Sequence, residues 1–94
     1  MNLVVDKPLI GWKDLDDKRL RDVYEKIIRV GDPELQEDSD AKIGKYCKEN
    51  GCDFITPDKE AYAEFFEKGT EIIEIRRFGF NMESRQVVYL VRIR

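Results

Sequence analysis

The chain has 94 residues, enough for one domain with one modest core, and its 39% of charged residues is typical of a very soluble surface or of a thermophile. It has no histidine, which excludes Ser-His and Cys-His catalysis, and its two cysteines argue against a structural zinc site. No apolar run reaches the ~18 residues of a membrane span, and "MNLVV" lacks the features of a signal peptide. We therefore expect a single cytoplasmic domain over residues 1–94 with no membrane partner. A disulfide between Cys47 and Cys52 and two buried free thiols both remain open.

Charge is unevenly distributed along the chain. Residues 1–60 carry 15 acids and 11 bases, whereas residues 76–94 carry one acid and five arginines. A basic segment of this kind can contact a polyanion such as RNA, so the candidate nucleic-acid-binding residues are Arg76, Arg77 and Arg85. The more frequent arrangement is that such arginines lie over apolar surface or pair with acids.

The first half of the chain predicts a strand followed by two helices. "NLVVD" (Asn2–Asp6) is a short run rich in β-branched residues, typical of a buried strand. A first helix is predicted from the acidic segment 14–17 to a stop at Gly31, and its apolar positions at helical spacing are Leu20, Val23, Tyr24, Ile27 and Ile28. After a polar connector, a second helix begins at 38–40 and ends before Gly51.

The second half adds three strands and one helix. Cys52–Thr56 is predicted as a strand, Asp58 to Gly69 as a third helix, and "TEIIEIRRFGF" and "RQVVYLVRIR" as strands joined by a hairpin or a wider loop. Strands that alternate with helices predict a three-layer α/β fold, with a mainly parallel sheet between flanking helices. The last two strands can add an antiparallel pair. "QVVYLVRI" is predicted as an exposed edge strand, which favours a homodimer.

Acidic residues are predicted to meet at one edge of this sheet. In open α/β sheets, ligands bind beyond the carboxyl ends of the strands. Asp6 follows the first strand and Asp58 follows the second, while the start of the second helix returns Asp38 and Asp40 to the same edge. Close carboxylates repel unless they share a cation, and Mg²⁺ or Mn²⁺ prefers such oxygen ligands. These ions support phosphodiester hydrolysis without histidine.

Helix capping and turn formation are the alternative explanation for most of these acids. Asp38, Asp40 and Asp58 each stand where a helix begins, so a structural role alone can account for them. Asp6 ends a strand, and capping of these helices does not explain it.

Two stretches of the chain resemble the PIN-domain family and its short PIN-like relatives. They are "NLVVD" and "DSDAKIGKYCKENGCDFITPDKEAY", so the resemblance covers the N-terminal strand and about residues 38–66. Asp40 opens a helix with Ile43 three residues later, and Gly51 makes the turn into a strand that ends in "FIT". Thr56-Pro57-Asp58 then matches the family's Thr-x-Asp, with Tyr62 as the aromatic that follows.

The resemblance implies a metal-dependent ribonuclease, often the toxin of a toxin–antitoxin pair with an antitoxin-like protein partner. It implies that Asp6, Asp40 and Asp58 are catalytic ligands of Mg²⁺ or Mn²⁺, that Thr56 orients one of them, and that Asp38 supports the site. The family's further acid has several candidate positions here: Asp22, Glu25, Glu37 and Asp38. A PIN-like module without catalysis, serving protein pairing or nucleic-acid binding, is the alternative function.

Overall fold

Five strands form one mixed sheet in the computed structural model, which describes residues 1–12, 15, 18–36, 39–58 and 71–93. The strands are β1 (Asn2–Val5), β2 (Ile27–Arg29), β3 (Cys52–Thr56), β4 (Ile72–Asn81) and β5 (Gln86–Ile93). The helical segments are a 3₁₀ turn at Lys7–Leu9, α1 (Lys18–Arg21) and α2 (Asp40–Asn50). The strand order is β2-β1-β3-β5-β4, so the protein is a small compact α/β domain with few helices in the described part.

The sheet is mixed rather than mainly parallel. β1 runs parallel to β2 and β3, whereas β5 runs antiparallel to β3 and β4, and the antiparallel β4–β5 pairing is the longest. The predicted antiparallel pair at the C-terminal end is confirmed as a hairpin, in whose turn Asn81 Oδ1 accepts the backbone N–H of Glu83 at 3.1 Å. The prediction that the last strand is an exposed edge is wrong, because β5 lies between β3 and β4.

The long first helix predicted from the sequence is also wrong. Among the described residues of that segment, Lys18–Arg21 forms the α-helix α1, and Ile27–Arg29 forms β2, which pairs parallel with β1. The apolar positions at helical spacing do not share one face, since Val23 is 58% exposed while Tyr24 is buried. Ile27 and Ile28, the β-branched pair at the end of the segment, instead form backbone hydrogen bonds with β1 as part of a strand.

The second predicted helix is confirmed as α2. Ser39 is its N-cap, with the side-chain oxygen accepting the Lys42 N–H at 3.4 Å. Gly51 ends it in the left-handed conformation at φ 63°, where its N–H donates to the Cys47 carbonyl. The third predicted helix lies outside the described residues, apart from Asp58 at its start.

Apolar side chains pack on both faces of the sheet in two clusters. One cluster joins α2 to one face and contains Val4, Ile28, Ile43, Cys47, Phe54 and Val91. The other joins the 3₁₀ turn and α1 to the opposite face and contains Leu3, Val5, Leu9, Leu20, Ile55 and Leu90. Both cysteines are free and buried, and burial raises the pKa of the Cys47 thiol. Among the described residues, no helix has the length and apolar composition needed to cross a membrane.

Candidate functional site

Asp6 lies at the carboxyl end of β1 and is almost buried, with 8% of its surface exposed. Its backbone N–H donates to the Ile55 carbonyl at 3.0 Å, which continues the pairing with β3 beyond the last residue of β1. Its Oδ1 accepts the Lys7 N–H at 2.8 Å, and its Oδ2 accepts the Thr56 hydroxyl at 2.6 Å. The carboxylate is therefore held at the point where two adjacent parallel strands end.

The Thr56 hydroxyl connects the first predicted acid to the third. It donates to Asp6 and accepts the backbone N–H of Asp58 at 3.0 Å. Thr56 is fully buried as the last residue of β3, whereas Asp58 is exposed two residues later. One buried side chain thus fixes the carboxylate of Asp6 and the backbone of Asp58 relative to each other.

Burial raises the pKa of the Asp6 carboxyl, and this is the largest influence on it. The hydrogen bonds from Thr56 and Lys7 act in the opposite direction, and the negative charge of Asp58 raises the pKa further. Removing the proton from Asp6 therefore places charge in a site with little solvent and a second carboxylate nearby. A bound cation would relieve both costs.

The other predicted acids of the metal site are Asp40 and Asp38. Asp40 is the first residue of α2, and Asp38 lies outside the described residues. Within the described residues, no three or more Asp, Glu or Cys side chains form a group that could hold a metal ion. The structure therefore brings Asp6 and Asp58 together, and Asp40 does not complete a group of three with them.

The candidates for a further acid that the structure describes take part in ion pairs at the surface. Asp22 lies 3.6 Å from the ammonium of Lys18, and Glu25 lies 3.7 Å from the N-terminal amine of Met1. Both carboxylates are largely exposed. Such pairs contribute little to stability. Glu37 is outside the described residues.

A second buried carboxylate, which the sequence interpretation missed, lies on β3. Asp53 is 1% exposed and accepts the Tyr24 hydroxyl at 2.6 Å. The guanidinium of Arg92 donates to both of its oxygens, at 3.3 and 3.4 Å, and also lies 3.8 Å from Glu74. Burial, and then the bond to Asp53, raise the pKa of the Tyr24 hydroxyl, so it remains a donor. The one sequence signal was an acid inside the otherwise apolar run "CDFIT".

A pocket of about 170 Å³ opens beside this pair, between α1 and the β4–β5 hairpin. We call it the arginine pocket, and the lining residues that matter here are Arg19, Tyr24, Arg76, Arg77, Phe78 and Arg92. The guanidinium carbon of Arg19 lies 4.4 Å from the centre of the Phe78 ring, whose edge-on neighbour is Trp12 at 6.0 Å. Two of the three predicted nucleic-acid-binding arginines thus line the pocket.

The third predicted arginine is placed elsewhere. Arg85 is exposed in the β4–β5 turn, where it adopts a positive φ of 55°, and it is not among the residues that line the pocket. A variant at Arg85 therefore tests the effect of an exposed positive charge outside the pocket.

Comparisons of the chain with protein-family models, curated proteins and solved structures found no match. The carboxylate pair and the arginine pocket are therefore the features from which a function is inferred.

Proposed function

We propose that this protein is a Mg²⁺- or Mn²⁺-dependent nuclease of the PIN-like kind, with RNA as its substrate. The observation that carries the proposal is the buried carboxylate of Asp6, bonded to Thr56 beside Asp58 where β1 and β3 end. Ligands of open α/β sheets bind at this edge. The resemblance of the N-terminal strand and of residues 38–66 to PIN-like proteins points to the same residues.

Two carboxylates are enough for the metal proposed here. Mg²⁺ is commonly bound by one or two protein carboxylates, and waters and substrate phosphates complete its six ligands. A carboxylate has about four acceptor positions, and the bonds from Lys7 and Thr56 use two of those on Asp6. Asp6 and Asp58 would therefore hold the ion, with Asp40 and Asp38 as the proposed additional acids at the start of α2.

When bound, such an ion supplies activation of water and stabilisation of the leaving oxygen in phosphodiester hydrolysis. The chain's own contribution is to position the carboxylates. Thr56 holds Oδ2 of Asp6 at 2.6 Å, and the Lys7 N–H fixes Oδ1, so the carboxylate plane is set before any ligand arrives. Since Asp6 is buried, little water competes for its oxygens.

Nucleic-acid binding without catalysis is the second candidate function. Two observations favour it. The described residues contain no three-carboxylate group, and four arginines line a pocket away from Asp6. A protein of this kind would bind single-stranded RNA in a way that depends on salt but not on divalent ions.

Calorimetric titration with Mn²⁺ tests the metal site directly. We expect wild type to bind Mn²⁺ and Asp6→Asn to bind it at least ten-fold more weakly. Glu49→Gln is the matched control, because it removes an exposed acid of α2 that pairs with Lys45, and it should bind as wild type does. Equal binding by wild type and Asp6→Asn would refute the metal site.

Cleavage of a labelled single-stranded RNA, with and without chelator, then separates the two candidate functions. Cleavage that stops on chelation and in Asp6→Asn supports the nuclease. RNA binding that is unchanged by chelator, without cleavage of any RNA in a set of varied sequence, supports the binding module.

A further inference from the structure

We propose that the arginine pocket binds one nucleotide unit of a single-stranded nucleic acid, with its guanidinium groups on the phosphate and Phe78 beside the base. That the strand is RNA rests on the proposed function. The binding itself does not, because it needs neither the carboxylates nor a metal ion.

Charge is the first support for this site. Four guanidinium groups line the pocket, and among the described residues Asp53 and Glu74 are the carboxylates of the small pocket that adjoins it at Arg76 and Arg92. Both carboxylates lie against Arg92, so its charge is largely compensated. Among the described residues, Arg76 and Arg77 form no ion pair with a carboxylate. Like charges gathered in a chain of net charge −3 favour a bound anion.

The chemistry of arginine favours phosphate as the bound anion. A guanidinium is planar and presents donors in a fixed fork that matches two oxygens of a phosphate. Arg92 has its Nε and one terminal nitrogen on Asp53, which holds it in the pocket wall. Arg19 is held over the Phe78 ring at 4.4 Å. Two of the four guanidinium groups are therefore positioned before a ligand binds.

The size of the pocket limits the enclosed part of the ligand to about one phosphate or one ring of a nucleotide. Its volume of about 170 Å³ is close to the roughly 150 Å³ of a cavity that holds one benzene ring. Sites for whole drug-sized ligands and cofactors are larger, at about 300–1,000 Å³. The pocket thus accommodates a phosphate or a single ring, and the rest of the ligand must extend along the surface.

An aromatic side chain, Phe78, forms part of the pocket wall. Phe78 lines the pocket and is held from behind by Trp12, whose ring is edge-on to it at an angle of 77°. Trp12 in turn lies against Gly79, where even a Cβ atom would come within 3.3 Å of it. Aromatic and guanidinium faces bind bases by stacking with little sequence preference. Trp12 is the single tryptophan of the chain, so its fluorescence reports on this wall.

Fluorescence anisotropy with a fluorescein-labelled 12-nucleotide single-stranded RNA, in chelator so that no cleavage occurs, tests the proposal. We expect the double variant Arg76→Ala with Arg77→Ala to bind at least ten-fold more weakly than wild type. Its slope of log affinity against log salt should fall by about 1.4, which is about 0.7 for each lost phosphate contact with a single strand. Arg85→Ala is the matched control and should change affinity less than two-fold.

Two further measurements separate the parts of the proposal. Phe78→Leu should weaken binding several-fold and lower the salt slope less than the double variant does, because it removes the ring that Arg19 lies over but no charge. The double variant Arg76→Ala with Arg77→Ala should bind Mn²⁺ as wild type does, which distinguishes failure of the pocket from failure of the metal site. Thermal unfolding and Trp12 emission establish that each variant is folded.

Several results would overturn the proposal. Absence of RNA binding by wild type would do so, and so would an equal loss in Arg85→Ala and in the double variant. Displacement of the RNA by polyglutamate at equal charge concentration would indicate an acidic protein partner instead.

The same titration with the oligonucleotide as DNA shows whether the site distinguishes RNA from DNA. Equal affinity for DNA supports a site that contacts phosphate and base, and preference for RNA supports contact with the ribose as well.

Discussion

Replacement of Thr56 by valine tests how the fold controls the charge of Asp6. Valine nearly matches the shape of the fully buried threonine but lacks the hydroxyl. The variant loses the 2.6 Å bond to Asp6 Oδ2 and the acceptor of the Asp58 N–H. Asp6 keeps the bond from Lys7, so the change removes one of the two donors that oppose its burial.

The magnitude follows from the kind of hydrogen bond that is lost. A bond to a charged group contributes about 1.5–3 kcal/mol, and a bond between neutral groups about 1 kcal/mol. We therefore expect Thr56→Val to lower the free energy of unfolding by about 3 kcal/mol when Asp6 is ionised. In a domain of this size, this loss corresponds to a decrease in Tm of about 15 °C.

The loss should depend on pH in a defined direction. Burial raises the pKa of Asp6 in the folded chain above its unfolded value of about 3.9. Asp6 therefore favours folding most below the unfolded value, and this contribution is lost as pH rises through the raised pKa. Without the Thr56 hydroxyl that pKa rises further. The gap in stability between wild type and variant should be smallest below the unfolded value and largest above the raised pKa.

Urea unfolding followed by circular dichroism between pH 3.5 and 8 measures this gap. Thr56→Ser is the control, because it keeps the hydroxyl and loses only a methyl group, so its deficit should not change with pH. A deficit in Thr56→Val that is the same at every pH would refute the reasoning, since it would assign Thr56 a packing role alone.

Two predictions concern the rest of the fold. Tyr24→Phe removes the hydroxyl donor to buried Asp53 and should lower the free energy of unfolding by about 1.5–3 kcal/mol in urea unfolding at neutral pH. A loss below 0.5 kcal/mol would show that Arg92 alone satisfies Asp53. Gly51→Ala places a Cβ in the left-handed conformation at φ 63° and should cost about 1–2 kcal/mol. An unchanged midpoint there would contradict the assignment of Gly51 as the residue that ends α2.

Local signals predicted the elements that the structure confirms. β1 and β3 are runs of apolar residues bounded by turn signals, and α2 has a serine cap and a glycine stop within its own sequence. β2 was missed because a three-residue strand fits inside a helical spacing of apolar residues. What makes Ile27–Arg29 a strand is its pairing with β1, more than twenty residues away in the chain. The interior position of β5 depends on strand order, which no local pattern encodes.

The difference between local signals and distant pairing also separates the two buried carboxylates. Asp6 was predicted because it follows a strand directly, a position that local sequence reveals. Asp53 was missed because its partners are 29 and 39 residues distant, at Tyr24 and Arg92. An acid within an apolar run predicts that a partner must exist, since an unpaired buried charge is costly. It does not predict which residue that partner is.

The contrast between these carboxylates is also the strongest argument for a ligand at Asp6. Asp53 receives a guanidinium and a hydroxyl, so the fold itself balances its charge. The donors to Asp6 are a hydroxyl and a backbone N–H, both neutral, and the nearby charge of Asp58 is of the same sign. Asp6 also caps the 3₁₀ turn at Lys7–Leu9, and asparagine, with one side-chain oxygen in place of two, would not accept from both Lys7 and Thr56. A bound cation would balance the buried charge of Asp6 beside Asp58, and Mn²⁺ titration of wild type and Asp6→Asn tests this proposal.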